Sequence, residues 1–354
     1  METENQEPAD TGANRLRSAW RWLFLVAAFL SPTLAAQNRV NPGETDGPAG
    51  ADIASFAVQE AFGHSEWATL DGLLSRYCSP DEPRLDDGRW KLSGVSLSLE
   101  SFFDAYGEWE MMFAKLAEWR REQPATTAAD VVEAILWYSW AWAARGDGYA
   151  QNVTPEGMQL FRERLLEAND LLRRTRASAE NCPLYHEARL RVLLGLGADQ
   201  EEMRMAFEAG VSKFPDYGPL YYRRVIALLP WWGGSYEEID AFVNEMVERD
   251  LGKEGEALYT RIWLWVDMRN DTGFDLFRDT PASWPRMREG YRLLLERHPR
   301  SMFILNSFAA HACRAQDAET YKSLRDWLTR PYYLPAWPTN LSIEVCDLRM
   351  IKSA

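Results

Sequence analysis

Pro183-Leu184-Tyr185 returns 36 residues later as Pro219-Leu220-Tyr221, and the likeness runs on through the residues that follow. Aligning Pro183 to Val211 with Pro219 to Val247 gives eight identities in 29 columns: the triplet, Leu193/Leu229, Gly197/Gly233, Glu201/Glu237, Glu202/Glu238 and Val211/Val247. A period of this size belongs to helical-repeat architectures of the tetratricopeptide class. The physics repeats with the letters. Asp199 and Ser235 occupy equivalent columns, each suited to cap a helix, and each has a glutamate three residues later, Glu202 or Glu238, placed for a capping box. A second helix is therefore expected to start at the same phase in both units.

In the first unit that helix carries Met203, Phe207 and Val211 four residues apart, and Phe214-Pro215 closes it. Ile239, Phe242, Val243, Met246 and Val247 form the matching stripe in the second. Each stripe needs a neighbouring pair to bury it, which is the logic of a stacked array. Glu254 to Met268 and Pro285 to His298 read as a further pair split by an insertion, and Met302 to Ala315 with Ala318 to Leu328 as another, capped at Asp317 and stopped at Pro331.

Ahead of the repeats, Ala51 to Phe62 and Ser65 to Tyr77 read as a helical hairpin. Two long aromatic-faced helices follow, Leu99 to Arg121 and Ala128 to Arg145. The expected fold is all-α: a tetratricopeptide-like helical-repeat array, an αα solenoid, with an amino-terminal helical cap. The expected divisions are a signal peptide over 1–36, a linker over 37–50, the bundle over 51–152, the repeats over 153–330 and a carboxy-terminal cap segment over 331–354.

The leader rests on Arg15, Arg17 and Arg21, the apolar run Trp22 to Leu30 and the small residues up to Ala36. Nine apolar residues are too few to span a bilayer, which takes about 20. Export with cleavage near Ala35 or Ala36 is expected, making the protein periplasmic or secreted; an uncleaved anchor and a helix of the folded domain are the alternatives. Membrane contact is expected only through that segment if it stays uncleaved. Four cysteines, Cys78, Cys182, Cys313 and Cys346, allow up to two disulfides in three pairings. Cys313 falls within an expected helix and reads as a buried free thiol.

A net charge of -14 with no basic run argues against nucleic-acid binding, which depends on neutralising phosphates. His64, His186, His298 and His311 are the only histidines. None has the spacing of a metal site, and no phosphate loop, dinucleotide fingerprint or serine-hydrolase elbow occurs. No catalytic, cofactor-binding or metal-ligating residue is assigned, and no cofactor is expected. The 53 acidic residues leave room for a glycosidase pair set by tertiary structure.

Trp140-Ala141-Trp142-Ala143-Ala144-Arg145-Gly146 and Leu228-Leu229-Pro230-Trp231-Trp232-Gly233-Gly234-Ser235 together resemble the hallmarks of an uncharacterised bacterial family, a domain of unknown function with tetratricopeptide-like helices. The resemblance covers about residues 55–330 and implies a helical fold and a bacterial source. It implies no catalytic residues. Trp231 stands where that family's turn is expected to carry a basic residue.

Most of the 16 tryptophans read as core. Trp231 and Trp232 are adjacent in a glycine-flanked turn, where both cannot easily point inward. If that turn meets the one bearing Arg145 and Tyr149, the four make an aromatic and cationic patch suited to a peptide or glycan; the rival reading has them packing between repeats, with Arg145 satisfying helix-end carbonyls. The function expected is an exported, non-enzymatic binding or scaffold protein with a protein or peptide partner. A glycan-active enzyme on an α/α toroid is the alternative, and a structural component of an envelope assembly the third.

Overall fold

The computed structural model describes residues 46–146, 148, 152–270, 273–328, 332–338 and 341–350. The expected signal peptide, nearly all of the expected linker, Tyr149 and the Pro331 stop lie outside the described residues. Among those residues there are sixteen α-helices and no β-strand. No helix among them is long and apolar enough to cross a membrane.

Helices α1 (Gly47–Gly63) and α2 (Trp67–Tyr77) form the hairpin. α1 takes in the last four positions of the expected 37–50 linker, with Pro48 in its first turn. The single helix expected from Leu99 to Arg121 is two, α3 (Val95–Tyr106) and α4 (Trp109–Glu122). Gly107 separates them at φ 65°, a left-handed cap that donates its N–H to the Phe103 carbonyl. Aromatic spacing ran on across this break because both helices pack on α5 (Ala128–Arg145).

α6 (Pro155–Ala179) starts at Thr154, whose hydroxyl accepts the Gly157 N–H, and packs along α5. Next come α7 (Pro183–Leu196), α8 (Gln200–Val211), α9 (Gly218–Ile226) and α10 (Tyr236–Arg249). Asp199 and Ser235 cap α8 and α10 through the N–H groups of Glu202 and Glu238, as their equivalent columns require. The repeated tyrosines also match: Tyr185 donates to the Leu172 carbonyl and Tyr221 to that of Pro215. α5 to α9 pack consecutively and α10 packs on α11, while the alternate helices α5, α7, α9 and α11 (Glu256–Met268) contact one another in a row.

After the short α12 (Leu276–Asp279), α13 (Trp284–Arg297) lies tight against α11. A Cβ at Gly290 would come 2.1 Å from both the Glu256 carbonyl oxygen and the Thr260 hydroxyl, so only glycine allows this approach. α14 (Met302–Arg314), α15 (Ala318–Arg325), capped by Asp317 as expected, and α16 (Ile343–Met350) complete the chain.

Residues 79–94 run along this row. Arg84 pairs with Asp216 at 3.1 Å, Trp90 meets the Phe214 and Tyr217 rings edge-on, and Arg261 donates to the Asp87 carbonyl. Buried Asp46 then joins the start of α1 to α14, accepting the Ser301 hydroxyl at 2.6 Å and the Phe303 N–H at 2.8 Å. Residues 42–354 form one compact unit.

Both disulfides form. Cys78 at the end of α2 joins Cys182 at the start of α7, and Cys313 joins Cys346. The expectation of a free Cys313 is thus corrected: α16 folds back onto α14 and brings Cys346 to it. With 104 residues between its ends, the Cys78–Cys182 bridge restrains the unfolded chain by an amount of about 2–5 kcal/mol. Replacing both cysteines by serine is expected to lower the urea-denaturation free energy by that much. An unchanged midpoint would show that the bridge does not hold α2 to α7. Gly290→Ala is expected to cost more than an ordinary surface change, about 1–3 kcal/mol, because α13 must move off α11.

Candidate functional site

The two motif turns meet through Trp142. This residue lies in the last turn of α5, and its ring receives the Trp232 ring edge-on at 6.3 Å, 81° between planes. On the same ring the Arg145 guanidinium sits 5.0 Å from the centroid, and Phe161 of α6 packs edge-on at 5.0 Å. Offset and edge-on rings with a nearby cation are attractive arrangements for the aromatic quadrupole.

Local backbone chemistry sets the second turn. Pro230 ends the run of α9, residues Pro230–Trp232 form one turn of 3-10 helix, and Gly233 reverses the chain at φ 87°. Gly234 has no room for a side chain, since a Cβ there would lie 2.2 Å from the Leu228 carbonyl oxygen. The glycine pair is therefore structural. It leaves both tryptophans outward, Trp231 at 58% exposure and Trp232 at 37%. Neither packs inward.

Arg145 bonds to the backbone as well as covering a ring. Besides covering Trp142, its Nη1 donates to the carbonyls of Gly146 and Gly148 at 3.1 and 3.0 Å, quenching the carboxy-terminal end of α5. Tyr149 lies outside the described residues. So the structure brings Arg145 and Trp232 together through Trp142, with Trp231 beside them in the chain.

The sequence reading missed what lies beside this patch. Along the row, Glu187 of α7 is 1% exposed and accepts Arg223 of α9 through Nε and Nη2, at 3.1 and 2.8 Å, and the Tyr217 hydroxyl at 2.8 Å. One turn further along α7, Arg191 pairs with Glu100 of α3, donates to the Ser96 hydroxyl and lies 4.4 Å from the Tyr138 ring centroid. Tyr222 stacks on Trp265 of α11 with centroids 5.1 Å apart, and Arg269 covers Trp265 from 4.9 Å. Burial pushes the Tyr138 hydroxyl up to about 12, against the pull of the Arg223 and Arg269 charges. It remains a protonated donor at neutral pH.

One signal for this row was available. Glu187 and Arg223 occupy the same column of the repeat, 36 residues apart, so stacking neighbouring units sets opposite charges side by side. Among the described residues no group of His, Cys, Asp and Glu is placed to hold a metal ion. Compared with protein-family models, with curated proteins and with solved structures, the chain matches none. The family resemblance rests on its two motifs.

Glu187 gives the site its test of rigidity. Removing one partner of a buried ion pair strands the other, which costs about 3–5 kcal/mol. Glu187→Ala is expected to lose stability on that scale in chemical denaturation. A loss below about 1 kcal/mol, the range of exposed pairs, would show that Arg223 and Tyr217 find other partners.

Proposed function

We propose that this is an exported, non-enzymatic binding or scaffold protein of tetratricopeptide-like helical-repeat type, and that it binds a polypeptide segment across the ends of the α5–α7–α9–α11 row. The observation that carries the reading is the Trp142 junction, where an arginine from one motif turn and exposed tryptophans from the other share one surface. Tryptophan, tyrosine and arginine dominate the binding energy of protein interfaces. The repeat array is supported by the equivalent caps of α8 and α10 and by the alternate-helix row. In this reading the chain belongs with the bacterial family it resembles.

Two further observations favour binding over catalysis and an oxidising compartment over the cytoplasm. Glu100 on α3 and Glu187 on α7, the carboxylates paired with the arginines beside this patch, are each held by an arginine, which leaves neither free to act on a substrate. Two disulfides tie the fold, as is usual outside the reducing cytoplasm. Export through the amino-terminal leader fits both.

The test is a peptide-display selection on the wild-type chain, followed by affinity measurement with the Trp231→Ala/Trp232→Ala double variant. Because both rings are outward, the variant is expected to stay folded, losing about 0.5–1.5 kcal/mol from the Trp142–Trp232 contact. Selected peptides are expected to bind it at least about tenfold more weakly, the effect of a single hot-spot truncation. A selection that yields no binder, or binders indifferent to the double substitution, overturns the reading.

A further inference from the structure

A chain of net charge -14 gathers three guanidiniums in the middle of its helix row. Two contacts between helices fix where they stand. Glu187 on α7 binds Arg223 on α9, and Tyr222, next to Arg223, stacks on Trp265 of α11. Arg191 lies one helical turn beyond Glu187, and Arg269 one turn beyond Trp265. Both therefore flank the end of α9, where Ile226 and Ala227 supply no charge.

The three are unequally satisfied. Arg223 has Glu187 and Arg191 has Glu100. Yet Arg191, at 6% exposure, keeps a buried Nε without a hydrogen-bond partner. Arg269 lies against the Trp265 ring and meets no carboxylate among the described residues. Burial, together with the charges of Arg223 and Arg269, pushes the Arg191 pKa well down. Like charges held together in a partly dry place repel more strongly than in water. Asp104 of α3 also faces this group, accepting the Ser139 hydroxyl at 2.7 Å and acting on Tyr138, so Glu100, Glu187 and Asp104 set three carboxylates near the three guanidiniums.

We infer that Arg191, Arg223 and Arg269, with the Tyr138 hydroxyl, receive an oxyanion of the ligand, a carboxylate or a phosphate group. Planar guanidiniums present paired N–H donors that match two oxygens of either group. Arg269, the outermost, makes first contact, and the buried Arg191 and Tyr138 donors lie behind it. The stacked Tyr222 and Trp265 rings give the adjoining part of the ligand an apolar wall. The inference deepens the polypeptide reading and rests on it for the chain that carries the anion, whereas the arginine cluster itself is read without any peptide.

The experiment is thermal unfolding of the full chain in chloride, inorganic phosphate and glutarate at matched ionic strength, for wild type, R269Q and R269K. Wild type is expected to gain Tm saturably with phosphate or glutarate, with a midpoint in the millimolar range, and not with chloride. R269Q is expected to lose that gain and R269K, which keeps the charge without the fork, to retain part of it. R269Q should fold, because Arg269 is exposed and its loss strands no buried carboxylate. A larger gain with glutarate identifies a carboxylate ligand, and a larger gain with phosphate a phosphorylated one. No saturable gain in wild type, or an equal gain in R269Q, overturns the inference. An anion effect that behaves as expected beside a failed peptide selection keeps the arginine cluster as an anion site and removes the polypeptide reading.

Discussion

Glu187 is the residue on which the helix row turns. An ionised carboxylate at 1% exposure survives only if its charge is matched and its oxygens are bonded. Arg223 and Tyr217 do both, from α9 and from the residue that precedes it. Because Glu187 and Arg223 share a repeat column, the pair fixes the lateral register of adjacent units as well as their separation. Apolar contacts tolerate sliding by part of a turn. A doubly bonded ion pair does not, so the Tyr222–Trp265 stack and the positions of Arg191 and Arg269 follow from it.

The same node reaches the amino-terminal half of the chain. Tyr217 also donates to the Leu92 carbonyl, and its ring meets Trp90, so residues 79–94 are bound to the row at the residue that satisfies Glu187. The Cys78–Cys182 bridge begins this segment and Arg191 with Ser96 and Glu100 ends it. The amino-terminal helices are thus more than a lid on the first repeat. Their connecting segment lines the row from α7 toward α14, and Asp46 closes the far end. The carboxy-terminal ends of α5 and α11 carry Trp142 and Arg269, and Trp232 lies in the turn after α9.

What could be read from the sequence was what depends on near neighbours. The caps at Asp199, Ser235 and Asp317 are local hydrogen bonds three residues long, and all three form. The break at Gly107 was hidden because α3 and α4 bury their faces on one partner, so the apolar rhythm crossed the break. Cys313 was misread for the opposite reason: its partner is 33 residues away, and only the return of α16 brings it near. The arginine cluster was illegible except through the Glu187/Arg223 column, since three basic residues on three helices become one feature only when register is known. The Trp231–Trp232 turn was legible as a surface, though its contact with Trp142 was not.

The two aligned stretches of sequence differ in which columns they keep. Columns that keep their identity hold structure: Leu193/Leu229 lie in the core, and Gly197/Gly233 both reverse the chain at positive φ. Between them the units diverge. α7 continues for 14 residues and passes α6 so closely that a Cβ on Gly195 would lie 2.8 Å from Leu165. α9 stops after 9 residues, Pro230 follows, and the column of Gly195 holds Trp231 in the open. Likewise the column of Arg191 holds Ala227, so the end of α9 carries no charge where α7 carries one. An exact repetition would have produced a uniform face. The departures at Ala227 and at Pro230-Trp231-Trp232 remove one charge and shorten one helix.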